Sequence, residues 1–163
     1  NLFIMKLKNI VLAIALFSTC VFYAQSKGDI SGFAGATYPL ASGSELGINV
    51  GLEYMITDDI GAAPSYSHYF YPSGLSVSAI NIDARYYLGG DDKLKYFGLA
   101  GVSLYKSSVT ILGNKVSTNA TGFNGGGGAI YNFSDGFGLI GQVKYTSNGA
   151  GGIEPSLGLN FKF

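Results

Sequence analysis

Apolar and polar residues alternate along most of this chain with a period of two, the spacing of a strand with one greasy and one wet face. The pattern is plainest at the end, where Leu157, Leu159, Phe161 and Phe163 interleave with Gly158, Asn160 and Lys162. It recurs at Ile48, Val50, Leu52, Tyr54 and Ile56, set against Asn49, Gly51, Glu53 and Met55. Ile80, Ile82, Ala84, Tyr86 and Leu88 oppose Asn81, Asp83, Arg85 and Tyr87. Phe137, Leu139, Gly141, Val143 and Tyr145 oppose Ile140, Gln142 and Lys144. Turn-forming residues punctuate these runs: Thr57-Asp58-Asp59, Pro72-Ser73-Gly74, Gly89 to Lys93 and Ser134-Asp135-Gly136.

Together the runs predict eight strands: Asp29 to Tyr38, Ile48 to Ile56, Ile60 to Tyr71, Leu75 to Leu88, Leu94 to Lys106, Thr121 to Phe133, Phe137 to Tyr145 and Ile153 to Phe163. Each has roughly the 9–11 residues that a tilted strand needs to cross hydrocarbon. Alternation of this kind, with short turns between, predicts an all-β, eight-stranded, antiparallel, up-and-down transmembrane barrel of the bacterial outer membrane. The short turns, Thr57 to Asp59, Gly89 to Lys93 and Ser134 to Gly136, then share the periplasmic side with both termini. Ser107 to Ala120 is polar and is expected to be the longest surface loop. Pro64 lacks an N–H inside the third strand, so a bulge is expected there. Leu75 and Val77 run out of phase with the rest of the fourth strand, which predicts a second bulge near Ser78 or Ala79. The fifth strand has no clear register.

Aromatic residues fall near the predicted strand ends, as the two girdles of a membrane barrel should. Tyr54, Tyr86, Tyr96, Tyr131, Phe133, Phe137 and Phe163 are assigned to the periplasmic girdle. Tyr38, Tyr69, Phe70, Tyr71, Tyr105 and Tyr145 are assigned to the outer one.

The amino-terminal region reads differently. Lys6 and Lys8 beside Met5, the apolar run Ile10 to Phe17 and the small residue Ala24 describe a cleavable secretory signal over residues 1–24, with Met5 as initiator and the barrel domain occupying 25–163. The apolar run is shorter than the ~20 residues of a membrane-spanning helix. Cys20 is the only cysteine, so the processed chain would hold none and could not rely on disulfides. Removing Lys6 and Lys8 from ten basic residues leaves eight against ten acidic, a formal charge of −2. No basic patch marks a nucleic-acid partner.

If the greasy face meets lipid, the polar set points inward: Asn49, Glu53, Asn81, Asp83, Arg85, Gln142, Lys144, Asn160 and Lys162. Eight strands enclose only enough space for side chains to fill. Glu53, Asp83, Arg85, Gln142, Lys144 and Lys162 are therefore expected to form a polar network that plugs the lumen, since buried charges persist when paired and hydrogen-bonded. A narrow, porin-like conduit is the alternative use of the same groups. Inverted faces would make a soluble, lipocalin-like barrel.

Catalytic, cofactor and metal sites are expected to be absent. His68, the only histidine, has no nucleophile and acid arranged around it as hydrolysis requires. Gly125 to Gly128 lack the lysine and helix of a phosphate loop and are read as backbone crowding inside a barrel. Asp58-Asp59 and Asp91-Asp92 are turn residues with too few oxygen ligands for calcium.

Gly51-Leu52-Glu53-Tyr54, Arg85-Tyr86-Tyr87-Leu88, Tyr131 to Leu139 and the terminal Phe161-Lys162-Phe163 resemble the outer-membrane β-barrel domain family, which groups with the small OmpA-, OmpX- and OmpW-like proteins. The resemblance covers the processed chain, and its motifs mark topology, not chemistry. It implies insertion by the outer-membrane assembly machinery, with Phe161 and Phe163 as the assembly signal, and outer-membrane lipid and lipopolysaccharide as surroundings. Lipid A deacylases are also eight-stranded barrels, and Tyr145-Thr146-Ser147-Asn148 with Glu154 resembles their motif. Tyr145 occupies the histidine position, so the general base would be missing. The expected role is non-enzymatic: envelope integrity or surface interaction through loops around Ser42, Ser73, Lys115 and Gly149.

Overall fold

The computed structural model describes residues 26–72, 74–111, 114–147 and 152–163. The segment read as a signal, Ser73, Asn148 and Gly149 lie outside the described residues. Eight strands follow one another: β1 (Ile30–Thr37), β2 (Gly47–Met55), β3 (Ile60–Tyr69), β4 (Leu75–Gly90), β5 (Leu94–Ile111), β6 (Asn114–Ser134), β7 (Phe137–Thr146) and β8 (Gly152–Lys162). Each pairs antiparallel with its sequence neighbour, and β8 pairs with β1, closing the sheet into a barrel.

The stagger of the closure can be followed through the register. Ile30 faces Tyr54, then Ala62, Ala84, Ala100, Gly125, Tyr145 and Ile153 in turn. The Ile153 carbonyl accepts the N–H of Leu40, so one circuit returns ten residues further along the first strand's path, from 30 to 40. Such a stagger tilts the strands and leaves an interior that side chains can fill.

Alternation sorts the residues as the period predicts. Ile48, Val50, Leu52, Ile80, Ile82, Leu104, Val143, Leu157 and Leu159 lie on the outer surface, with Leu157 58 % exposed. Asn49, Glu53, Asn81, Asp83, Arg85, Lys144 and Asn160 are buried inside. A soluble barrel would place these sets the other way round. β5 settles into one phase, with Phe97, Leu99, Ser103 and Tyr105 inward and Tyr96, Val102 and Leu104 outward.

Three expectations are corrected. The stretch 107–120 is no loop: β5 and β6 pair without interruption from Leu94↔Tyr131 to Ile111↔Asn114, so the hairpin stands well above the rest of the barrel. No bulge occurs at Ser78 or Ala79, because β4 keeps one register with β3 from Tyr69↔Val77 to Ile60↔Tyr86. Val77 is an inward residue at the top of the lumen, packed against Tyr69, Ala79 and Tyr105. The shift lies instead between Tyr87 and Gly89, where Gly89 and Gly90 take φ of 128° and 131°, values costly for any residue with a Cβ. Pro64 likewise makes no shift. The β2–β3 ladder passes from Gly51↔Ser65 to Tyr54↔Ala62 in one register and omits the pairs between, so the missing N–H is accommodated by a gap.

The connections 56–59, 91–93 and 135–136 share one end of the barrel, here the turn end. The β1–β2, β3–β4, β5–β6 and β7–β8 connections belong to the other, the loop end. Around the turn end Tyr54, Tyr86, Tyr96, Tyr131, Phe133, Phe137 and Phe163 are all outward. Of the outer set, Tyr38, Phe70 and Tyr145 are outward, whereas Tyr69 and Tyr105 are buried in the lumen and Tyr71 packs against them. Strand parity decides this: Tyr69 shares its phase with Ala63 and Ser67, not with Tyr66.

Candidate functional site

Arg85, the only arginine in the chain, organises the lower lumen. Its Nη1 lies 3.1 Å from Glu53 Oε2, and the two side chains are 2 % and 0 % exposed. Its Nη2 donates to Gln142 Oε1 at 3.1 Å. The guanidinium stacks between Phe33 and Phe97, 4.5 and 4.7 Å from their ring centres. The Tyr87 hydroxyl lies 3.0 and 2.9 Å from the two Glu53 oxygens. Five strands thus converge on one ion pair, and a planar cation suits the task because it can stack on rings while its edge donates.

Above this lies an amide-rich layer. Asn124 Nδ2 donates to Asp83 Oδ1 at 2.7 Å, and Lys144 Nζ lies 3.1 Å from Asn81 Oδ1 and 3.9 Å from Asp83 Oδ2. The Ser103 hydroxyl sits between Asn81 and Asn124, and Asn49 donates to Ser67 at 2.9 Å. Higher still, Glu154 accepts from Thr37 Oγ1 at 2.7 Å and from the Tyr69 hydroxyl at 2.9 Å, with Tyr105 and Thr146 in the same hydroxyl cluster. Lys144 is the cross-strand neighbour of Glu154, yet its amine turns down to the amide layer. Among the described residues no ion pair reaches Glu154.

The structure therefore gathers Glu53, Arg85 and Gln142 into one cluster and Asp83 with Lys144 into a second. Lys162 joins neither and is half-buried near the turn end. Phe161 lies outward, its ring edge-on to Phe137 at 5.1 Å, and the Phe163 N–H donates to the Ile30 carbonyl at 3.0 Å. Sequence reasoning missed Tyr69, Tyr105 and Glu154 as lumen groups. Parity could have found them, since Glu154 is out of phase with Ile153, Leu157 and Leu159.

Beside Phe33, Asn49, Ile140, Gln142 and Ser156 there is room for about one water. Buried and without a hydrogen-bond partner among the described residues are Arg85 Nε, Asn160 Oδ1 and Ser31 Oγ. Gly126 and Gly128 fit the crowding expected of the glycine run, as a Cβ at Gly126 would meet the Val143 carbonyl and one at Gly128 the Phe97 ring; Gly125 has open space.

The deacylase-like residues do not converge. Tyr145 points outward, Ser147 Oγ is held by the Phe123 N–H at 2.9 Å, and Glu154 is sealed in the lumen. His68 is on the outer face, edge-on to Phe70 at 5.5 Å. Among the described residues no group of His, Cys, Asp and Glu could hold a metal. At the turn end the Asp91 carboxylate accepts the backbone N–H groups of Leu94 at 2.7 Å and Lys93 at 2.9 Å, which hold it below the ordinary aspartate range.

No family model and no curated protein matches the sequence. Solved structures do. The amino-terminal barrel domain of Pseudomonas aeruginosa OprF superposes with a TM-score of 0.72 at 22 % identity, covering 85 % of this chain and all of that domain (100 %). Neisserial surface protein A gives 0.67 at 21 % identity, covering 83 % and 96 %. The chain has the fold of the small outer-membrane barrels. A transmembrane barrel designed de novo matches as well, with a TM-score of 0.64 at 15 % identity and coverage of 86 % and 100 %. A barrel made without a biological ancestor fits nearly as closely as the natural ones, so the likeness speaks to architecture and the role must be argued from the lumen and rim.

Proposed function

We propose that the protein is an integral outer-membrane barrel of structural or surface-interaction function, with no catalytic activity and a lumen closed by its own side chains. The supporting observation is the Arg85 cluster. A guanidinium bonded to Glu53 and Gln142 and clasped between Phe33 and Phe97 draws β1, β2, β4, β5 and β7 onto one point of the axis. Moving it would strand Glu53 in a site that water does not reach. The exposed apolar outer face and the aromatic ring at the turn end support lipid as its surroundings, with the turn end in the periplasm.

Planar-bilayer recordings test the closed lumen. The unmutated barrel is expected to show no discrete current steps; steps that change on Glu53→Ala would establish a conduit instead. Fractionation with heat-shift electrophoresis tests the setting, because folded membrane barrels resist SDS until boiled. Recovery of the protein without detergent would remove the membrane assignment. Lipid A from cells with and without the gene is expected to have identical mass spectra.

A further inference from the structure

Among the described residues the barrel buries five charged side chains, Glu53, Asp83 and Glu154 against Arg85 and Lys144. Arg85 answers Glu53 and Lys144 lies near Asp83, so one negative charge is left over. Register places Lys144 opposite Glu154, yet raising its amine would only move the deficit, because Asp83 would then lose its cation. A charge this far from water needs a counter-charge.

The surroundings of Glu154 say which kind. Thr37 Oγ1 and the Tyr69 hydroxyl reach its two oxygens separately, at 2.7 Å to Oε1 and 2.9 Å to Oε2. The Tyr105 hydroxyl bonds within the same group, as does Thr146. Strands β1, β3, β5 and β7 thus each send one hydroxyl toward a carboxylate carried by β8, and all five side chains are buried. A proton on Glu154 would need a single acceptor. Four hydroxyl oxygens exceed that need, and with the carboxylate they form the all-oxygen surroundings that hard metal cations favour. One positive charge closes the balance of the buried set, whereas a divalent ion would tip it to positive.

We propose that Glu154, Thr37, Tyr69, Tyr105 and Thr146 bind one alkali-metal ion, sodium or potassium, inside the upper lumen. To receive it the hydroxyls rotate from donating to Glu154 to offering the ion their lone pairs. Two of them have other acceptors at hand for the displaced protons: the Pro155 carbonyl is 3.4 Å from Thr37 Oγ1, and Asn124 Oδ1 is 3.2 Å from Thr146 Oγ1. Glu154 is the third residue of β8, counted from the loop end, so that end is the shorter way in. The ion is held, not conducted. The inference goes beyond the structural role proposed above, because it makes the barrel's stability depend on the alkali ion around it.

The test uses the full barrel in lipid vesicles, unfolded by urea at fixed pH and ionic strength while sodium or potassium chloride replaces the chloride of N-methylglucamine, an organic cation too bulky for five side chains to enclose. Above the dissociation constant, each tenfold rise in the alkali ion should raise the folded-to-unfolded ratio about tenfold. Calcium should do less. Glu154→Gln should remove the dependence, and in the organic cation alone its ratio should lie within about fivefold of the unmutated barrel's. Should that variant fail to fold, Thr146→Val keeps the carboxylate and should shift the dependence to higher ion concentration. Crystals grown in rubidium chloride should show an anomalous peak between Glu154 and the hydroxyls. Equal stability in alkali and organic cations, a dependence that survives Glu154→Gln or is unmoved by Thr146→Val, a larger effect of calcium, or no rubidium peak would each overturn the proposal. So would a Glu154 carboxyl resonance in NMR that is that of the protonated acid in saturating sodium and potassium, since a proton would then stand where the ion should be.

Discussion

The lumen holds two buried glutamates that solve the same problem differently. Glu53 has a guanidinium and the Tyr87 hydroxyl; Glu154, near the opposite end, has only the hydroxyls of Thr37, Tyr69 and its neighbours. Two strands supply the ion pair below, and aromatic rings clasp it. Among the described residues no ion pair reaches the carboxylate above, although Lys144 is next to it in register. The lower cluster is thus a lock whose halves depend on each other, and the upper one is a set of single hydrogen bonds that can be lost one at a time.

The contrast is broken most directly at Arg85. Arg85→Met is expected to cost about 3–5 kcal/mol by leaving Glu53 buried and uncompensated. Urea titration in lipid vesicles measures it, and Glu53→Gln added to Arg85→Met should restore most of the loss. A cost under about 1 kcal/mol would make the two glutamates equivalent. Next in size is the comparison of inside with outside on one strand. Leu159 lies on the outer face of β8, the strand that carries Glu154 inward. Leu159→Arg should cost about 2–4 kcal/mol near the bilayer midplane, and a much smaller loss would mean that water, not lipid, bathes that face.

At the upper cluster Tyr69→Phe should cost about 1–3 kcal/mol, the range for leaving one buried acceptor unmet. Glu154→Gln should cost at most about 1 kcal/mol, since its hydroxyl neighbours can turn to accept as well as donate. If Glu154→Gln proved as damaging as Arg85→Met, the upper site would be a lock too. The smallest effect belongs to neither cluster. Asp91 is held ionised by the N–H groups of Leu94 and Lys93, so its contribution is present above the ordinary aspartate range and fades as pH falls through its lowered value. Amide exchange at Lys93 and Leu94 should quicken only in that acidic window, with Asp91→Asn removing the pH dependence.

Architecture was legible in the sequence wherever a strand has an apolar outer face and a polar inner one, because the two faces then differ most. Ser107 to Ala120 was misread as a loop for the converse reason. Along 107–120 most residues on both faces are polar or small, so the apolar half of the alternation vanishes while the ladder persists. Glu53, Arg85 and Asp83 were legible as lumen groups because they sit within clean alternation. Tyr69 and Tyr105 were assigned to the girdle by residue type, when the phase of Ser67 and Ser103 already placed them inside. The Tyr87–Gly89 shift could not be read, since Gly89-Gly90-Asp91 signals a turn equally well a residue earlier or later.

Closure of β8 onto β1 has one more consequence. The Phe163 N–H bonds to Ile30, so the two outermost strands in sequence are neighbours in space, and the ring as such has no first member. A circular permutant that joins them through a short linker and opens the chain between Asp58 and Asp59 should refold in detergent with its stability nearly unchanged. Its delivery to the membrane in cells would then report on something the folded ring does not need: the order in which the strands are made.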